Sequence, residues 1–139
     1  FTRVLFRSPW VHDVDKDQSG WIALCAAMKG SSIQKLGFGD IGIGPVGIKT
    51  LAYTIPTIPG VVEVVLDNNP AIEIGNLVEN IDGLTNLKVL LLRNSKLSEL
   101  PENLDGLSKL AVLDLSGNSF SESEQLRIKS SLPNTNLVF

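Results

Sequence analysis

The sequence predicts an α/β solenoid: a parallel sheet on a concave face, backed by a helical or irregular convex side. Three observations predict it. A unit written L-x-x-L-x-L-x-x-N-x-L recurs along the chain. It is plainest in "LKVLLLRNSKL" (87–97) and "LAVLDLSGNSF" (110–120), and is also present in "VVEVVLDNNPA" (61–71) and "IQKLGFGDIGI" (33–43). Units start at residues 33, 61, 87 and 110, giving spacings of 28, 26 and 23. In each, a stretch of strand period precedes a longer segment able to carry the chain back.

The strands come first. Positions 4 and 6 of the frame hold Leu36/Phe38, Val64/Leu66, Leu90/Leu92 and Leu113/Leu115. Residues two apart on a strand share a face, so these pairs point inward. Position 1 adds Ile33, Val61, Leu87 and Leu110, and position 11 adds Ile43, Ala71, Leu97 and Phe120. No unit can bury such a stripe alone; stacking buries it against its neighbours. Strands are expected near 35–38, 63–66, 89–92, 112–115 and 136–138, with an earlier one at Val4–Phe6 or Trp10–Val14. The unit written above has Asn at position 9, where a side-chain amide can bond the backbone of adjacent turns. Here it is Ile41, Asn69, Ser95 and Asn118, so this polar ladder should break at the first and third units.

Helices are expected near 20–29, 46–55 and 122–131. In the last, Ser121 and Glu124 have capping-box spacing, Leu126, Ile128 and Leu132 supply apolar faces, and Pro133 stops the helix. The chain then divides as one domain: an incomplete unit at 1–32, repeats at 33–60, 61–86 and 87–109, and a last repeat with its cap at 110–139.

Composition narrows the function classes. The chain has 139 residues, enough for one domain with a real core. Net charge is −3, and no basic stretch marks a nucleic-acid footprint. No apolar run approaches the roughly 20 residues of a membrane span. The start, FTRVLFRSPW, has no signal-peptide pattern and no initiator Met, and reads as a fragment or processed product. Cys25 is the only cysteine, in the small-residue pattern "ALCAAM"; it reads as a buried thiol and favours a reducing compartment such as the cytoplasm, or an excised fragment. His12 is the only histidine, which argues against a zinc site or a catalytic triad.

Two motifs invite larger claims. "GIGPVGIKTLA" (42–52) has the spacing of a dinucleotide-binding loop, with Asp67 twenty residues beyond Gly47. Such a loop follows a strand buried on both faces, whereas "IQKLGF" alternates, and GDI separates strand from glycines. The glycines instead let the chain turn from strand to helix, Pro45 sits near the helix start, and Asp67 falls at frame position 7 on the solvent side. "DKDQSGWI" (15–22) places Asp15, Asp17, Ser19, Gly20 and Ile22 as in a calcium loop, but the bidentate Glu is replaced by Ala26. It reads as a solvated loop leading into a helix. No cofactor, nucleotide or metal is expected.

The four aligned frames resemble the leucine-rich repeat family over roughly residues 20–139. The early units are similar to the long ribonuclease-inhibitor-like repeats. "LKVLLLRNSKLSELPENLDGLSK" (87–109) looks like the shorter 23-residue type. The resemblance implies a horseshoe segment without catalysis that recognises a protein through its concave sheet. Outward positions 3, 5 and 7 supply Lys35, Glu63, Val65, Asp67, Val89, Leu91, Arg93, Val112 and Asp114. Position 8 joins them, as Asp40, Asn68, Asn94 and Gly117. Val65, Val89, Leu91 and Val112 form an apolar centre, with Asp67, Arg93 and Asp114 at its rim. The alternative is a structural spacer within a larger repeat protein.

Overall fold

The computed structural model describes the backbone of residues 3–5 and all of residues 17–81 and 86–139. Trp10–Val14, His12 and Asp15 lie outside the described residues. Six strands appear among them: β1 (Arg3–Leu5), β2 (Lys35–Gly37), β3 (Glu63–Val65), β4 (Val89–Leu91), β5 (Val112–Asp114) and β6 (Asn136–Val138). They form one parallel sheet in chain order. Register is uniform, with Leu36, Val64, Leu90, Leu113 and Leu137 in a single row across β2 to β6. Each unit therefore lies directly beside the next, as the repeated frame demands.

Inward positions 4 and 6 are sealed: Leu36, Phe38, Val64, Leu66, Leu90, Leu92, Leu113 and Leu115 have no exposed surface. Position 11 holds for Ile43, Leu97 and Phe120, which are buried, but not for Ala71, which stays half-exposed. The turn in which Ile72 N–H donates to the Asn69 carbonyl (3.1 Å) carries one more residue, so Ile72 takes the inward place.

The convex side changes along the chain. Helices α1 (Ser19–Met28) and α2 (Pro45–Thr54) are followed by the six-residue α3 (Gly75–Asn80), then by a single 3-10 turn at Asp105–Leu107, and finally by α4 (Glu122–Ser131). The shrinkage follows the unit length: 28 residues leave room for a full helix and 23 do not. Helix α3 is not evident in the sequence, because Gly75 and two asparagines form helix poorly. Leu77 and Val78 are buried, with Ile74 and Ile81 flanking them, and packing against α2 supports the short helix. At Gly106 an added Cβ would run into the Val78 carbonyl, so the absent side chain lets the 3-10 turn lie close on α3.

The glycine-rich loop acts as a hinge from strand to helix. Gly42 has φ +66°, in the left-handed region, and Gly44 is extended as the residue before Pro45 at the start of α2. Gly47 lies within α2, and its carbonyl accepts the Trp21 indole N–H at 2.9 Å. Trp21 also meets the Phe38 ring edge-on, with centroids 4.9 Å apart, tying α1 to the core. In the acidic stretch before α1, Asp17 Oδ1 accepts the Ser19 N–H at 2.9 Å, a bond that lowers its pKa. Ser19 and Gly20 already belong to the helix. Cys25 is buried.

The polar ladder differs from expectation. Asn69 Nδ2 donates to the carbonyls of Phe38 (2.9 Å), Leu66 (2.9 Å) and Asp67 (3.2 Å), while its Oδ1 accepts the Ile43 N–H (3.0 Å). Ser95 does not break the series: its Oγ accepts from Asn69 N–H (3.3 Å) and reaches the Arg93 carbonyl (3.2 Å). Asn118 continues it, Oδ1 accepting from the N–H groups of Ser95 (2.9 Å) and Leu97 (3.0 Å). The hydroxyl is short but still lies within reach of the neighbouring turn, so only Ile41 interrupts the ladder. There the Asn69 amide caps the preceding turn from the next unit.

The C-terminal helix is fastened by charge. Ser121 Oγ accepts the Glu124 N–H at 3.2 Å, which is half of the expected capping box. The Glu124 carboxylate turns elsewhere, accepting from Leu100 N–H (3.0 Å) and from Arg127 Nη2 (2.6 Å) and Nε (2.9 Å). Arg127 Nη2 also donates to the Leu100 carbonyl at 2.9 Å, so the pair clamps α4 to the preceding unit. Ile128 and Leu132 are buried against the core, whereas Leu126, expected on an apolar face, is 63% exposed.

The Arg127 hydrogen bonds, followed by the Leu100 N–H, hold the Glu124 carboxyl down at about 2, against an ordinary 4.5. A carboxylate depressed on folding stabilises the fold above its unfolded pKa, and that stability is lost as pH falls through the folded value. Stability should therefore decline by about 1 kcal/mol between roughly pH 4.5 and pH 2 on account of this group, after allowance for solvent screening. Urea unfolding across that range, with Glu124→Gln as the reference lacking the slope, checks it.

Candidate concave binding face

The outward residues of the sheet form three rows. Position 3 gives Lys35, Glu63, Val89, Val112 and Asn136, and position 5 gives Gly37, Val65, Leu91, Asp114 and Val138, each aligned by strand register. Position 7 gives Gly39, Asp67, Arg93 and Ser116, just past the strands. Adjacent strands lie about 4.8 Å apart, so neighbours along a row touch.

Val65, Val89, Leu91 and Val112 are each half-buried and adjacent, and make one apolar strip over β3 to β5. Val138 on β6 is 39% exposed and stands in the Leu91 row beyond Asp114. Val138 was absent from the sequence-derived set, although its place in "NLVF" is the position-5 equivalent of the last strand. At the β2 end, Gly37 and Gly39 contribute no side chains. Lys35 Nζ lies 2.8 Å from Glu63 Oε2, closing an ion pair across β2 and β3.

Asp67 is placed differently from the sequence reading. It is only 7% exposed, not on an open solvent face. Its Oδ1 accepts the Arg93 backbone N–H at 2.8 Å, and its Oδ2 accepts Arg93 Nε (3.0 Å) and Nη2 (2.6 Å). Burial of a carboxylate demands such a partner, and Arg93 lies over it in the next unit. The pairing raises the Arg93 pKa, with nearby Asp114 adding to the effect. The signal existed in the sequence: both residues hold position 7 of consecutive frames, which stacks them. Arg93 is thus a structural partner as well as a rim residue. Arg93→Glu is expected to cost about 2 kcal/mol by setting two carboxylates together over a buried site, and to shift the urea midpoint accordingly; Arg93→Lys should lose less.

Position 8 is not part of the strand face. Asp40, Asn68 and Asn94 have φ of +58°, +58° and +52°, and Gly117 has +70°. After each of β2 to β5, three places beyond the strand, a left-handed residue starts the turn, a conformation that Asp, Asn and Gly tolerate best. At Gly117 an added Cβ would also displace the Asn94 side chain, whose Oδ1 fills that space.

Asp114 Oδ1 accepts from Ser116 N–H (3.0 Å) and Ser116 Oγ (2.7 Å). Among the described residues, no three His, Cys, Asp or Glu side chains gather as a metal site, and no helix is long and apolar enough to cross a membrane. The face thus carries a half-buried apolar strip with ion-paired charges beside it.

No family model matches the sequence, and no curated protein matches it. Among solved structures, the chain is similar to a leucine-rich-repeat protein of Leptospira interrogans, with a TM-score of 0.59 and 26% identity over 77% of this chain. It spans only 25% of that protein's length.

Proposed function

We propose, from the premise that this chain folds as a leucine-rich-repeat solenoid, that it is a non-catalytic module that recognises a protein partner through its concave sheet. One observation carries the reading: Val65, Val89, Leu91 and Val112 form a continuous, partly exposed apolar strip on registered strands. The ion pairs Lys35–Glu63 and Asp67–Arg93 border it. An apolar centre with a polar rim is the anatomy of a protein interface. The reading needs neither nucleotide nor metal, and membrane or nucleic-acid binding plays no part in it.

The test starts with affinity capture of a partner from the source lysate. Leu91→Ala should weaken binding of that partner by about 1–2 kcal/mol, mostly through faster dissociation, and Leu91→Glu should abolish it. Lys49→Glu, on an exposed convex position of α2, should leave it unchanged. The opposite pattern would move the binding surface off the sheet. The second reading, a spacer within a longer repeat array, draws on the chain's spanning only 25% of its solved neighbour.

A further inference from the structure

The charges flanking the apolar strip are not equally satisfied. Lys35 and Glu63 neutralise each other, as do Arg93 and Asp67. Asp114 differs. Its hydrogen bonds come from the backbone N–H and hydroxyl of Ser116, both neutral donors. Arg93 is near enough to sense its charge, but Nε and Nη2 are committed to Asp67. The guanidinium bonds Asp67, and among the described ion pairs Asp114 takes part in none. It lies in the same row as Leu91 on one side and Val138 on the other, with Val112 two residues before it on β5.

Granting the concave face as the binding surface, we infer that its partner is a protein segment presenting an aliphatic or aromatic side chain next to a Lys or Arg. The apolar side chain covers Leu91 and Val112. The cation pairs with Asp114. Covering the strip removes water from around Asp114 and makes an unpaired carboxylate there costly. That cost rejects segments lacking the cation and repels acidic ones more strongly, so Asp114 sets specificity while the strip supplies contact area.

Panning a random peptide display library on the 139-residue chain tests this. Enriched peptides should pair an apolar residue with an adjacent Lys or Arg. Asp114→Asn keeps an oxygen for both Ser116 bonds and should weaken a selected peptide about fivefold. Added salt should weaken the parent interaction but hardly that of the variant. Repeating the selection on Asp114→Lys should enrich apolar–acidic pairs instead. Peptides that lose binding to Leu91→Glu but bind Asp114→Asn as tightly as the parent would overturn the role of Asp114 and leave the concave face standing. Peptides that still bind Leu91→Glu would overturn the face itself, and this inference with it. Enrichment without basic residues would also overturn it.

Discussion

Asn69→Leu is expected to destabilise the fold by about 3–5 kcal/mol, although leucine is close in size and the site is fully buried. The amide serves the carbonyls of Phe38, Leu66 and Asp67 and the N–H of Ile43; the Asp67 carbonyl also accepts the Asp40 N–H, so one substitution leaves the other three groups, from two consecutive turns, without this partner. An unsatisfied buried group costs about 1–3 kcal/mol, and the sum is moderated by partial rearrangement. Differential scanning calorimetry should show a fall in Tm of roughly 10–20 °C. Ser95→Ala removes one short hydroxyl and should cost about 1 kcal/mol. Equal losses for the two variants would mean that the ladder does not concentrate on Asn69.

The second large effect is Leu92→Ala, at about 2–5 kcal/mol. Leu92 has no exposed surface and occupies position 6 of the unit at 87–109, with Leu66 and Leu115 at the equivalent places on either side. A solenoid has no distant core to compensate, because each unit packs only on its neighbours. The cavity therefore weakens both interfaces of the unit. Leu126→Ala provides the contrast, since that side chain stands mostly in solvent and should change stability by less than about 0.5 kcal/mol. Chemical denaturation of the two variants separates a framed leucine from an incidental one.

The frame that predicts Leu92 as buried is the same one that stacks Asp67 under Arg93, yet only the first was read from it. Position 4 and position 6 residues follow from a two-residue period and need no partner to be recognised. The Asp67–Arg93 pair requires comparing the same position in two units and knowing that one carboxylate would lie beneath the other. Helix α3 lies at the opposite limit, since "GNLVEN" has little intrinsic helix propensity and becomes helical where Leu77 and Val78 pack beside α2.

By itself, then, the sequence determined what repeats: strand frames, inward leucines, the turn-capping asparagines and the full helices behind the longest units. Periodicity carries these because each unit solves the same burial problem with the same residue types. Only the tertiary structure decided what happens between units. It showed Ser95 continuing the ladder, Ile72 displacing Ala71, Glu124 leaving its own helix end for Leu100 and Arg127, and Asp67 buried beneath a guanidinium. Apart from the Ile72 turn and the Glu124–Arg127 pair, those outcomes depend on distances of about 3 Å between groups 24 to 31 residues apart in the chain. Such distances are set by how the turns stack, and local pattern does not contain them.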